Sequence, residues 1–149
     1  MLKINWKKCK CLMTALHENN EWCQVYLLEG ISRYNPQTPD EINEIIERTI
    51  PFVSHSNSGV VLTNIKVLIK LLDLVSSPDI IRSVCKKITP SLVTLLSAEP
   101  EIQYVALKNI NLLILKRPII FEKDIKVRDI KIRCSFVCLR NLFTIKWKN

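Results

Sequence analysis

The stretch IPFVSHSNSGVVLTNIKVLIKLLDLV, residues 50–75, opens on a proline that closes one helix and runs into a longer one. Pro51 removes a backbone donor inside an apolar helical run, so the helix before it should bend or break there. Asn57 or Ser58 then supplies a side-chain oxygen for the free amides of a new helix, predicted to reach about Val75. The same order returns downstream. A shift of 39 residues lays Ile50 and Pro51 on Thr89 and Pro90, and a shift of 42 lays Val60, Leu62, Ile65, Lys66 and Leu68 on Ile102, Tyr104, Leu107, Lys108 and Ile110.

A period near 40 residues with a proline in the first helix of each pair is that of HEAT and armadillo repeats. The predicted fold is therefore all-α, an α-solenoid of HEAT/armadillo-like antiparallel helix pairs. Such pairs cannot bury their apolar stripes alone and stack on one another, leaving an extended surface for partners. Punctuation elsewhere agrees. Glu21 to Tyr34 places Trp22, Val25, Tyr26, Leu28 and Ile31 at near three-and-four spacing, which predicts an amphipathic helix ended by Asn35 and Pro36. Thr38, Pro39 and Glu41 then give an N-cap, a first-turn proline and a carboxylate reaching back to the cap. The helix they open should bury Ile42, Ile45, Ile46, Ile50 and Val53. Ser77–Pro78 and Glu99–Pro100 start two more helices, the second stopped by Pro118. Five or six helices joined by short connectors must lie antiparallel to their neighbours.

A net charge of +8 sits at the two ends. Residues 1–10 hold four lysines and no acid, and residues 116–149 hold ten basic and three acidic side chains, whereas 11–115 comes to −3. The expected division is a basic extension over 1–11, a helical-repeat region over 12–127 and a divergent basic tail over 128–149. No basic face interleaved with aromatics appears in the middle, so nucleic acid is not an expected partner. No apolar run reaches the length of a membrane span and no secretory signal is evident, which places the chain in the cytosol.

Little points to chemistry. Cys9, Cys11, Cys23, Cys85, Cys134 and Cys138 form no CxxC pair, and His17 and His55 complete no ligand set, so no metal site is expected and the cysteines read as reduced, structural thiols. Two histidines assemble no nucleophile–base pair, and Gly30 and Gly59 make no phosphate-cradling loop. The chain reads as not an enzyme, with no catalytic residues and no cofactor. The HSNS run around His55 reads as a helix cap. Asn64, Asn109 and Asn111 read as bonded to a neighbouring helix or facing water, and Trp22 and Tyr104 as core.

The runs EWCQVYLLEGISRYNP, VSHSNSGVVLTNIKVLIKLL, ITPSLVTLLSAEPEIQYVALKNINLLILKRP and EKDIKV are similar to the trunk of beta-adaptins, the large beta chains of clathrin adaptor complexes, over about Leu12 to Val127. The resemblance implies a curved helical solenoid and a non-catalytic scaffold role in vesicle-mediated transport and endocytosis. Implied partners are the medium, small and second large chains. Clathrin is implied only indirectly, because the family's hinge and appendage do not appear in these residues. The implied location is peripheral, on Golgi, endosomal or plasma-membrane coated vesicles. Contact residues are not specified. After Val127 the run RDIKIRCSFVCLRNLFTIKWKN leaves the family pattern, as a truncated product, a misread exon boundary or a real short variant would. The alternative from the residues alone is an unrelated solenoid that binds proteins, or nucleic acid through its basic ends; phosphate binding would weaken steeply with salt.

Overall fold

A computed structural model describes residues 4–116, apart from the side chains of Ile114 and Lys116. The chain divides into two compact units, Met1–Ile88 and Thr89–Asn149. The expected tail over 128–149, with Cys134 and Cys138, lies outside the described residues. Among the described residues the structure is all-α, with six α-helices, one 3-10 turn and no strand.

In the first unit α1 (Trp6–Glu18) and α2 (Glu21–Ser32) form a hairpin. Asn5 caps α1 by accepting the Lys8 N–H at 2.9 Å, and Asn20 caps α2 by accepting the Cys23 N–H at 3.0 Å. Helix α1 starts inside the basic stretch over residues 1–11. Its lysines Lys7, Lys8 and Lys10 face out while Cys9, Met13 and Leu16, spaced four and three apart, are buried.

Helix α3 (Pro39–Thr49) starts as expected, with the Thr38 hydroxyl accepting the Glu41 N–H at 3.3 Å and Pro39 in the first turn. The Glu41 carboxylate reaches past the cap, taking the Gln37 N–H at 2.7 Å. That bond, followed by one from the Tyr34 hydroxyl, holds the Glu41 carboxyl below the usual carboxylate range. At Pro51 the helix gives way to a 3-10 turn, Ile50–Ser54. Ile42, Ile45, Ile46 and Val53 are buried, and Ile50 is half-buried. Asn57 then caps α4 (Ser58–Leu72), which ends three residues before the expected Val75.

Two layers result. The ring of Trp6, at the start of α1, stacks on Tyr34, whose hydroxyl bonds Glu41 at the start of α3. His17, near the end of α1, meets Phe52 just past α3 with ring centres 5.0 Å apart. So α1 and α3 run parallel, joined by the Lys10–Glu44 ion pair at 3.3 Å. Helices α2 and α4 also run parallel, because Glu21 meets Asn57 where both begin and Lys70 reaches the residues that close α2. Each helix of one layer is thus antiparallel to its chain neighbour in the other, a HEAT-like arrangement. Helix α4 is buried on several faces, through Val60, Val61, Ile65, Val67, Leu68, Ile69, Leu71 and Leu72, as a central helix must be.

Helix α5 (Pro78–Leu95) passes through Pro90 without breaking, unlike α3 at Pro51. The residues after each proline differ: FVSHSNS supplies caps, whereas SLVTLL supplies Leu92, Leu95 and Leu96, all buried. In the second unit α6 (Pro100–Lys116) buries Ala106, Ile110 and Leu113. Its Gln103, fourth in the helix, donates through Nε2 to the Ala98 carbonyl at 2.6 Å. Gln24, fourth in α2, does the same to the Asn19 carbonyl at 3.0 Å. Both glutamines sit at equivalent positions, each satisfying a carbonyl of the turn that precedes its own helix.

Candidate functional site

Helix α2 turns two aromatic side chains outward. Trp22 is 78% exposed and Tyr26 72%, and four-residue spacing puts them one above the other. The expectation that Trp22 packs in the core is corrected: Gln24, Leu28 and Ile31 take the inward positions and leave Trp22 on the opposite face. The same correction applies to Tyr104 on α6, 63% exposed. Large aromatics combine broad contact area with few rotatable bonds, which makes an exposed pair suited to docking another protein.

The polar residues serve the fold. His55 Nδ1 accepts the Asn57 N–H at 3.0 Å, and Asn57 Oδ1 accepts the Gly59 N–H at 2.8 Å, so the HSNS run caps α4 as predicted. Asn64 is fully buried and donates through Nδ2 to the Thr49 carbonyl at 2.8 Å, whereas Asn109 is buried and Asn111 exposed. Among the described residues no cluster of three or more His, Cys, Asp or Glu is placed to hold a metal ion. No helix among them is long and apolar enough to cross a membrane.

The thiols divide by exposure, with Cys9 and Cys85 buried and Cys11 and Cys23 exposed. Burial, reinforced by the Glu41 and Glu44 carboxylates, pushes the Cys9 thiol from its ordinary 9.0 up to about 11. A thiol-alkylating reagent at neutral pH should therefore label Cys11 and Cys23 and spare Cys9 and Cys85, read by peptide mass. Equal labelling of Cys9 and Cys11 would contradict this burial. Because the folded state raises the Cys9 value, its contribution to stability is complete below about 9 and lost as pH climbs through about 11. A Cys9→Ala variant should lose less stability over that interval than the parent.

The sequence profile of the adaptin N terminal region matches residues 1–138. The chain belongs to the adaptin family. That match takes in the basic start and passes Val127, so it is wider than the resemblance over 12–127. This adaptin is 46% identical over 132 residues to the AP-1 complex subunit beta-1 of Mus musculus, covering 88% of the chain and 14% of that protein. It is 47% identical over 116 residues to the AP-1 complex subunit beta of Dictyostelium discoideum, covering 78% of the chain and 12% of the relative. To the AP-2 complex subunit beta of Schizosaccharomyces pombe it is 33% identical over 115 residues, covering 76% and 17%. The adaptin chain thus spans about one-seventh of the mouse relative's length.

Proposed function

We propose that this chain acts as a non-catalytic scaffold part of a clathrin adaptor beta subunit, in vesicle-mediated protein transport, by binding other chains of the complex. The adaptin match over residues 1–138 carries the reading. The named relatives are beta subunits of AP-1 and AP-2 complexes, which supports partnership with other chains of such a complex. The proposed partners are the medium, small and second large chains. Clathrin is reached indirectly. The site of action is the cytoplasmic face of Golgi, endosomal or plasma membranes, held peripherally through the complex. The working part is the helical-repeat region to about Val127, and the family match continues to residue 138, within the basic stretch 128–149.

The exposed Trp22–Tyr26 face is the one assigned to another chain of the complex. Two aromatics left open on a helix whose inward side is already filled by Gln24, Leu28 and Ile31 add no core stability, so contact with a partner accounts for them. Affinity purification of the tagged chain from cells, with partners identified by mass spectrometry, tests both statements. Medium and small adaptor chains should be recovered, and Trp22→Ala with Tyr26→Ala should reduce recovery by about tenfold or more without lowering helicity. Failure of the parent chain to recover any adaptor chain would overturn the adaptor reading. Undiminished recovery by the double variant would overturn only the assignment of the face.

A further inference from the structure

Tyr34 lies in the connector between the pairs α1–α2 and α3–α4 and touches all four helices. Its ring stacks on Trp6 of α1, 5.7 Å between centres and 29° between planes. Its N–H donates at 3.0 Å to the carbonyl of Ile31 in α2. Its hydroxyl donates at 2.8 Å to Oε2 of Glu41 in α3. Its carbonyl accepts at 3.2 Å from Nζ of Lys70 in α4, and the same ammonium donates to the Ser32 carbonyl at 2.7 Å and to Asn35 Oδ1 at 3.0 Å. We propose that this Tyr34–Lys70 junction is the joint that sets the angle at which the first helix pair stacks on the second.

The end of a helix leaves carbonyls without intrahelical donors and carries a partial negative charge. Lys70 answers both needs of α2 from a different helix pair, with all three ammonium protons engaged. Apolar ridges alone leave helix crossing angles a scatter of about 15–20°, whereas directed bonds at a fixed point select one angle within it. The opposite end of the α2–α4 contact has a lighter link, Asn57 Nδ2 to Glu21 Oε2 at 2.7 Å, with the Ser56 hydroxyl at 3.5 Å from Oε1. Each pair in a repeat array positions the next, so a loosened joint would alter how every later surface is presented. Lys70 and Tyr34 are positioning residues here, and the inference stands independently of the adaptor reading.

The test uses spin-label distance distributions in the full chain with Cys134 and Cys138 replaced by serine. Labels on the exposed Cys11 and Cys23 report within the first pair. With Cys23→Ser and Lys66→Cys, labels at positions 11 and 66 report between pairs. Lys70→Met, which keeps the stem and removes the charge, should roughly double the width between pairs and leave the width within the first pair unchanged. Tyr34→Phe, which keeps the stacked ring and the carbonyl, should broaden the same distribution by less, and it decides the matter if Lys70→Met does not fold. The proposal is overturned if a folded variant leaves both widths unchanged, whatever its melting temperature, or if both widths grow alike.

Discussion

Leu68→Ala is expected to abolish cooperative folding of the chain or bring it to the edge of unfolding near room temperature. Leu68 is 0% exposed on α4, the helix that packs on α2, on α3 and on the 3-10 turn. Shortening a buried leucine costs about 2–5 kcal/mol, from lost transfer energy plus the cavity left behind. Ordinary domains hold only about 5–15 kcal/mol in total. Helicity followed through a urea titration checks the outcome. A midpoint within experimental error of the parent's would show that α4 is not the centre of the first unit's core.

How far the sequence discloses this fold depends on what spacing reports. Pro51, the Thr38–Pro39 start and the Asn57 cap were legible because each acts through its own backbone within a few residues. Helix α1 was hidden by composition: four lysines in the first ten residues draw attention to charge, although the Asn5 cap and the Cys9, Met13, Leu16 spacing were present. Trp22 and Tyr26 show a different limit. Helix α2 carries apolar side chains on more than one face, and periodicity cannot tell which face meets the core when a glutamine, Gln24, is drawn inward by the Leu16 and Asn19 carbonyls. The Lys70 junction was out of reach for a further reason, since its partners lie 35 to 38 residues away and exist only once the pairs have stacked.

Asn64→Asp should be as damaging as the leucine change, and unlike it should be partly reversed by acid. Asn64 Nδ2 serves the Thr49 carbonyl at the break made by Pro51, while its Oδ1 is buried without a hydrogen-bond partner. A carboxylate there would lose the donor, face a carbonyl oxygen and carry charge at a position with no solvent exposure. Leaving a buried carbonyl unpaired costs about 1–3 kcal/mol, and an uncompensated buried charge costs several more. Burial would raise the carboxyl's value in the folded state above the unfolded value of about 3.9. The stabilising contribution of the protonated acid is then complete below about 3.9 and lost as pH rises through the folded value. The protonated acid can donate to the Thr49 carbonyl, so the stability gap between variant and parent should narrow steadily from pH 7 toward pH 4. Asn64→Ala, which also removes the donor but adds no charge, should show a smaller gap that does not depend on pH. Urea midpoints of the three proteins at several pH values separate these outcomes. A gap for Asn64→Asp that stays constant with pH would mean that the site is wetter than its burial indicates.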